Sequence, residues 1–278
     1  MNDYLLSVIL GIIEGLTEFL PVSSTAHLRL AQDWFGINMK DGYWKMYAIV
    51  IQLGAILSVV VYFWNKLLKF VKSFPRGEQG DKNFLTHPLS LVMIAFVVTA
   101  LPCYLIDKKI GENLESLVII GLSLVIGGVV MWVIDAMFNT PRIDRIEEMS
   151  LRQAIVIGAA QILAAAFPGT SRSMSTIAAG QVMGLSRASA LEFSFFLSIP
   201  VMFAATGFKL MQFIRKTPIG LSDKQWIVLA IGFVVSFFVA LVVVHYFMAW
   251  VKKHGFIPFA IYRILLGGGV LVWVILQQ

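Results

Sequence analysis

The chain has 278 residues, of which 58% are hydrophobic and only 14% are charged, and its formal net charge is +6. Soluble globular proteins do not have this composition, and the basic residues form no stripe of the kind that binds nucleic acid. A single cysteine excludes a disulfide framework and a cysteine-based metal site within the chain. Long apolar runs separated by short charged segments predict an all-α polytopic membrane protein with a single integral membrane domain, residues 1–278.

Six apolar runs are long enough to be full transmembrane helices. In chain order they are residues 43–64, 89–106, 117–138, 188–213, 226–250 and 256–276. Two further apolar segments, residues 5–30 and 151–185, are interrupted in the middle by LPVSST and by FPGTSRS. Irregular backbone at membrane depth is tolerated only where protein or water covers it. We therefore expect each segment to be a re-entrant helical hairpin, with a kinked full span as the alternative.

The two interrupted segments resemble each other. GIIEGLTEFLPVSS at 11–24 aligns without a gap with GAAQILAAAFPGTS at 158–171, at a constant offset of 147 residues. Three predicted spans follow each segment, and because three is odd the second copy must enter from the opposite face. The sequence thus predicts an inverted repeat, residues 1–138 and 151–278, whose two hairpins meet near the bilayer midplane.

The distribution of lysine and arginine indicates the orientation in the membrane. If there are six spans, three basic loops fall on one side, which we interpret as cytoplasmic, and both termini lie outside. These loops carry Lys66, Lys69, Lys72, Arg76, Lys82, Arg142, Arg145, Arg152, Lys252 and Lys253. The opposite side also has basic residues, which weaken the bias: Lys108, Lys109, Arg215, Lys216 and Lys224.

Two carboxylates lie within the first interrupted segment. Glu14 and Glu18 are four residues apart, so on a helix they share one face, with Cβ atoms about 6 Å apart. A carboxylate at the membrane centre costs about 2.5–3.5 kcal/mol, and two of them repel. Either one is protonated or a cation lies between them, and Mg²⁺ and Ca²⁺ prefer such oxygen ligands. We expect Glu14 and Glu18 to bind one of these ions; a carboxylate pair facing a water-filled vestibule is the alternative.

Hydroxyl groups and a histidine follow the two carboxylates. Ser24 is three residues before His27, so a helical turn or a tight loop can bring the imidazole to the hydroxyl. Such a pair, oriented by a carboxylate, is a nucleophile with its base. We therefore expect Ser24 to be the nucleophile, His27 its base and the adjacent Ser23 and Thr25 substrate-binding residues. A histidine at the membrane interface is the alternative for His27.

The second interrupted segment supplies the opposite charge. Arg172 lies between Ser171 and Ser173, just before a predicted half-helix that begins near Met174. The N-terminus of a helix offers free N–H groups and a positive dipole end, which suit phosphate oxygens. Arginine adds a planar fork for bidentate contacts with phosphate, and Thr176 adds a hydroxyl. We expect Arg172 to act in catalysis by neutralising charge on the phosphoryl group, and Ser171, Ser173 and Thr176 to bind substrate.

The two segments complement each other chemically. One brings acids, hydroxyls and a histidine, and the other brings an arginine at the start of a helix. Together they predict a metal-assisted phosphate site inside a membrane, whose ligand is a lipid with a phosphorylated head. Arg187, in GLSRAS, is a further candidate for substrate binding, although a place at the membrane interface explains it equally well; Arg263 lies well inside the last predicted span.

At these residues the chain resembles the undecaprenyl pyrophosphate phosphatases of the bacitracin-resistance type. EGLTEFLPVSSTAH at 14–27 is similar to the first signature of that family, and PGTSRSMST at 168–176 is similar to the second. The likeness extends to VIQLGAILSVVVYFW at 50–64, EFSFFLSIPVM at 192–202 and FIPFAIYR at 256–263, and so covers nearly the whole chain.

The resemblance implies hydrolysis of undecaprenyl pyrophosphate to undecaprenyl phosphate and inorganic phosphate. This reaction recycles the lipid carrier for peptidoglycan synthesis and confers resistance to bacitracin. It also implies a multi-pass protein of the bacterial plasma membrane, a need for a divalent cation, action on the outer face and an inverted repeat with re-entrant helices. By position, the family's functional residues fall on Glu14, Glu18, Ser24, His27, Ser171, Arg172 and Thr176.

Several alternatives stay open at the level of sequence. A water bound to the metal could attack directly, with Ser24 only a ligand. The same anion site could also belong to a flippase or transporter of undecaprenyl phosphate, because broken helices that meet at the midplane are typical of secondary transporters. A homodimer is compatible with the apolar helix faces, but lipid would cover those faces equally well.

Overall fold

The computed structural model describes residues 2–37, 42–105, 116–216 and 220–276. In these ranges the regular secondary structure consists of eleven α-helices and one short 3₁₀ helix, Ile146–Glu148. The α-helices are α1 (Asp3–Thr17), α2 (Ser24–Trp34), α3 (Gly42–Tyr62), α4 (Trp64–Ser73), α5 (Pro88–Leu105), α6 (Leu117–Met137), α7 (Leu151–Ala166), α8 (Arg172–Val182), α9 (Arg187–Lys216), α10 (Asp223–His254) and α11 (Ile257–Leu276).

Six of these helices, α3, α5, α6, α9, α10 and α11, are long and apolar enough to cross a membrane. They correspond to the six predicted spans, so the prediction of an all-α polytopic membrane protein is confirmed. Their outer faces carry large apolar side chains such as Tyr246, Leu265 and Ile275, which a soluble protein would bury. Helix α4 was not predicted: the basic loop after α3 begins with ten helical residues whose apolar side includes the buried Phe70.

The two interrupted segments are each a pair of short helices. Helices α1 and α2 are separated at residues 18–23, and α7 and α8 at residues 167–171. The longest of the four, α7, has 16 residues and is about 24 Å long, whereas the hydrocarbon core of a bilayer is about 30 Å thick. In the second pair the Gln153 side chain near the start of α7 donates to the Met183 carbonyl at the end of α8, at 3.1 Å. The end of α8 therefore lies beside the start of α7.

The second helix of each pair begins at a serine with an unusual backbone conformation. Ser23 and Ser171 have φ values of 74° and 73°, a left-handed region that side chains other than glycine rarely adopt. Each serine hydroxyl caps its helix by accepting a backbone N–H, from Ala26 and Met174 respectively, both at 3.3 Å. Such strain is typical of functional sites.

These caps correct the gap-free alignment of the two segments. The alignment pairs Ser24 with Ser171, whereas the matching conformations pair Ser23 with Ser171. One residue separates Pro21 from its cap, but two residues separate Pro168 from Ser171. The stretch from proline to capping serine is therefore one residue longer in the second break, and the constant offset holds only up to the two prolines.

Each short first helix packs against a span from the other half of the chain. Helix α1 lies along α10, and α7 lies along α5. A Cβ atom at Gly11 would lie 2.8 Å from the Gly232 carbonyl oxygen, and one at Gly158 would lie 2.5 Å from the Ala95 carbonyl oxygen. The missing side chains allow this close backbone approach. The two halves are therefore interlocked rather than side by side.

Ion pairs identify which segments share an end of the molecule. Lys66, at the start of α4, contacts Glu147 of the 3₁₀ helix at 3.2 Å and Glu192 near the start of α9 at 2.5 Å. Lys224 at the start of α10 contacts Asp3 at the start of α1, at 2.5 Å. The loop after α3 and the loop before α7, both rich in basic residues, therefore meet at one end. Two basic positions weighed in the orientation, 108 and 109, lie outside the described residues.

Candidate active site

Glu18 connects the two breaks. It is the first residue after α1, and it is almost completely buried. The Ser24 hydroxyl donates to Glu18 Oε2 at 2.5 Å, and Arg172 Nη2 donates to Glu18 Oε1 at 3.3 Å. Arg172 Nη1 also donates to the Ser194 carbonyl of α9, at 3.2 Å. A hydroxyl, a carboxylate and a guanidinium from two distant stretches of sequence thus form one cluster.

Glu14 lies one helical turn before Glu18. Its exposed fraction is 0%, and both of its carboxylate oxygens lack a hydrogen-bond partner among the described residues. An unpaired buried carboxylate is very unfavourable, so the position calls for a proton or a cation. A divalent cation fits these donors, because Mg²⁺ is commonly held by one or two carboxylates and completes its coordination with water and phosphate oxygens. In the described ranges no group of three or more His, Cys, Asp or Glu side chains is arranged so that it could hold a metal ion.

The serines of the second break tie it to the first. The Ser173 hydroxyl donates to the Leu20 carbonyl at 3.1 Å and lies 3.0 Å from the Ser171 hydroxyl. Thr176 is completely buried, and its hydroxyl lies 2.7 Å from the Ser194 hydroxyl. The structure therefore places Ser171 and Ser173 at the junction of the breaks. It places Thr176 one turn further along α8, where it joins that helix to α9.

Arg263 of α11 holds both breaks in place. Its guanidinium is fully buried and donates to the carbonyl oxygen of Pro21 in the first break at 3.1 Å. It also donates to Gly169 and Thr170 in the second break at 3.0 and 2.9 Å, and to Ser123 of α6 at 3.2 Å. In the sequence Arg263 lies inside a predicted span, and we did not expect it in the site. The sequence feature that could have revealed its importance is the position of a charged residue deep in an apolar run.

The structure does not bring His27 to Ser24. His27 Nδ1 lies 2.7 Å from the Ser23 carbonyl oxygen, which only accepts, so Nδ1 must carry the proton. The other nitrogen, Nε2, lies 2.7 Å from the Tyr262 hydroxyl, and the two rings stack. The hydrogen bond to Ser23 holds the ring away from Ser24, whose partner is Glu18. The expected contact is therefore absent, and nothing in the sequence pointed to Tyr262.

Two other expected substrate contacts are Thr25 and Arg187. Thr25 is exposed in the first turn of α2. Arg187, at the start of α9, forms a bidentate ion pair with the buried Asp135, with contacts of 2.7 and 3.1 Å. The structure thus pairs the charge of Arg187 with Asp135 and not with a residue of the Glu18 cluster. Asp135 also accepts hydrogen bonds from the Gln181 side chain and from the Phe256 backbone N–H. The sequence feature that could have revealed its importance is a single acidic residue in an apolar run.

Comparison with known proteins identifies the family of the chain. The family model described as "Bacitracin resistance protein BacA" matches residues 7–269. The chain belongs to this family. It is 53% identical to a protein named undecaprenyl-diphosphatase from Koribacter versatilis, over 98% of this chain and 99% of the relative. Proteins of the same name from Caldanaerobacter subterraneus (44% identical, 93% of this chain and 92% of the relative) and Rhizobium etli (40%, 95% and 95%) are also similar. The resemblance seen in the two signatures is confirmed.

Proposed function

We infer that this protein is an undecaprenyl-diphosphatase of the BacA family. It hydrolyses undecaprenyl pyrophosphate to undecaprenyl phosphate and inorganic phosphate, and so returns the lipid carrier to peptidoglycan synthesis. Relatives with this name cover nearly the whole chain. The observation in the structure that best supports the inference is the Ser24–Glu18–Arg172 cluster. Transport of a phosphate lipid would need the arginine, but it would not need a hydroxyl held against a carboxylate.

We further propose that the two short-helix pairs are re-entrant hairpins of an inverted repeat, 1–138 and 151–278, in the bacterial plasma membrane. In support, α1 packs on a span of the second half and α7 on a span of the first, as a two-fold arrangement requires. The end that carries Lys66 would be cytoplasmic, by the excess of basic residues there. The site would open toward the outer face, as the resemblance implies. A homodimer remains a separate prediction.

In the proposed reaction, Ser24 Oγ attacks the terminal phosphorus of the diphosphate. A bond forms between Ser24 Oγ and phosphorus, and the bond to the bridging oxygen breaks, so undecaprenyl phosphate leaves. The Ser24 proton moves to Glu18 Oε2, which already accepts it in a hydrogen bond. Arg172 neutralises the charge that develops on the phosphoryl oxygens. Water then cleaves the phosphoserine, which releases inorganic phosphate and restores Ser24.

Glu14 and Glu18 would hold a Mg²⁺ or Ca²⁺ ion. When bound, it would neutralise phosphate charge during the transfer. Both oxygens of Glu18 are engaged by Ser24 and Arg172, whereas both oxygens of Glu14 lack a partner in the described part of the chain. We therefore assign most of the cation binding to Glu14. His27, whose two ring nitrogens contact Ser23 and Tyr262, takes no part in the proposed proton transfer.

The direct test measures inorganic phosphate released from undecaprenyl pyrophosphate by the purified, chelator-treated protein. The assay runs with and without Mg²⁺ or Ca²⁺, for the wild type and for Glu18→Gln. We expect metal-dependent release that is lost in Glu18→Gln. Glu78→Gln should keep it and serves as the control, because Glu78 is exposed and lies sixty residues after Glu18 in the sequence. No release by folded wild-type protein with either metal would refute the phosphatase and leave a lipid-binding or flipping role.

A second experiment separates attack by Ser24 from direct attack by water. Substrate labelled on the terminal phosphate is mixed with enzyme and quenched in acid within one turnover. Label retained on a peptide that contains Ser24, and absent from Ser24→Ala, is the expected result. Turnover without any labelled peptide, in a protein whose Ser24→Ala variant still works, would show that water attacks directly.

A further inference from the structure

A cavity of about 500 Å³ lies between α5, α7 and α9, and Arg172 at the start of α8 forms part of its wall. Most of the lining is apolar, with Phe96, Ala100, Ala165 and Phe208 among its residues. This volume is within the range of about 300–1,000 Å³ that is usual for small-molecule sites. It is far too small for a whole undecaprenyl chain. The cavity is partly open, because Ala204 and Ala205 in its wall are exposed.

Gln161 of α7 is the most unusual group in the wall. Its exposed fraction is 2%, yet neither its amide oxygen nor its amide nitrogen has a hydrogen-bond partner in the described structure. A buried polar group left unpaired costs about 1–3 kcal/mol, so such a group is normally satisfied by a ligand or an ordered water. In the second hairpin, Gln161 occupies the position that Glu14 has in the first.

Arg172 connects this cavity with the phosphatase cluster. Its Nη2 donates to Glu18, while its Nε is buried and has no partner among the described residues. Two unused N–H donors, Gln161 Nε2 and Arg172 Nε, thus belong to residues that line the same cavity. Donors beside an apolar chamber match an amphipathic anion, whose phosphate oxygens accept and whose hydrocarbon part fills the chamber.

We propose that this cavity binds the isoprene units next to the diphosphate of a polyprenyl diphosphate, with the Gln161 amide donating to a diphosphate oxygen. This inference rests on the proposed function and adds to it the route of the lipid tail. The tail leaves between α5 and α9 into the bilayer, and Gln161 is a substrate-positioning residue that the cluster around Glu18 does not include. The alanine side chains in the wall leave room for the prenyl chain.

The first test uses Cys103, the single cysteine of the chain, which is half-buried in the wall of this cavity. The chelator-treated protein is reacted with N-benzylmaleimide, with and without farnesyl diphosphate as a soluble prenyl probe. We expect the probe to slow alkylation of Cys103 at least tenfold, and alkylated wild type to lose hydrolysis of undecaprenyl pyrophosphate. Cys103→Ala should have the same activity with and without N-benzylmaleimide, because it carries no thiol to alkylate. Alkylation that proceeds equally fast with saturating probe, or leaves activity intact, would overturn the proposal.

Gln161→Leu gives a test that does not depend on thiol reactivity. We expect the KM for farnesyl diphosphate to rise about tenfold, while the thermal stability of the ligand-free protein stays equal or rises, because an unpaired amide has been removed. A structural amide paired with water would give the reverse: lower stability and an unchanged KM. Ala165→Trp, which fills the cavity, should also raise KM, whereas Leu163→Trp on the same helix should not, since Leu163 is 55% exposed and does not line the cavity.

The two proposals fail in different ways. If the wild type releases no phosphate from undecaprenyl pyrophosphate, the proposed function falls. If the wild type is active, but Gln161→Leu and Ala165→Trp have wild-type KM values, only the assignment of the cavity falls.

Discussion

Replacing Arg263 by methionine tests whether the two breaks depend on one side chain. The substitution keeps an unbranched side chain in α11 but removes four hydrogen bonds, which Nη1 and Nη2 of Arg263 donate to carbonyl oxygens at 2.9–3.2 Å. Hydrogen bonds with a charged partner contribute about 1.5–3 kcal/mol each, but burying the guanidinium opposes this, so the contributions cannot be added. By analogy with broken buried ion pairs, we expect a loss of stability of about 3–5 kcal/mol.

The effect on catalysis should be larger than on binding of the lipid. Three of the four orphaned carbonyls lie in the breaks, which carry Ser24 and Arg172 at their ends. A displacement of reacting groups by about 1 Å costs roughly 100-fold in rate, so kcat should fall by about that factor, measured as phosphate release at a temperature where the variant is folded. Arg263→Lys should be intermediate, because an ammonium has three donors and no planar fork.

Arg145→Met is the matched control. Its side chain is 64% exposed, so the same substitution should change stability by less than about 0.5 kcal/mol. Thermal unfolding in detergent measures stability for all three variants. Wild-type kcat in folded Arg263→Met would refute the idea that this residue positions the site.

Three further predictions concern single residues. Ser24→Ala should lower phosphate release more than tenfold, as expected on loss of a nucleophile, and retention of more than about a tenth of the rate would exclude that role. Glu14→Gln should raise the Mg²⁺ concentration for half-maximal activity at least tenfold without lowering thermal stability, because an amide replaces an unpaired buried carboxylate; an unchanged metal titration would contradict the assignment. Gly158→Val should cost about 1–3 kcal/mol, because its Cβ would meet the Ala95 carbonyl oxygen at 2.5 Å, whereas Gly268→Val, with no atom within 4 Å of its Cβ, should be neutral in the same unfolding measurement.

The six spans could be predicted from the sequence because a helix in lipid must be continuously apolar over a fixed length. The breaks could be predicted because proline and clustered hydroxyls contradict that rule. Helix α4 could not, since ten residues with three lysines read equally well as a basic loop, and only Phe70 packing on the core reveals the helix. The extra residue between Pro168 and Ser171 escaped notice because the two prolines align without a gap.

Part of the site could be predicted in the same way. Glu18, Ser24 and Arg172 lie in two short motifs, and their chemistry is complementary. The sequence does not determine which residue is the hydrogen-bond partner of Ser24. Ser24 has both His27 and Glu18 within reach along the chain, and only the packing of α11 beside α2, with Tyr262 at the contact, decides for Glu18.

The position of Arg263 also has a consequence for how the protein is made. Ribosomes release a membrane protein from its N-terminus onward, so α1 and α2, with Glu14 and Ser24, are synthesised long before α11. Until α11 follows, the carbonyls of both breaks lack the guanidinium that satisfies them. The two breaks can therefore reach the conformation described above only after the last described helix has been synthesised.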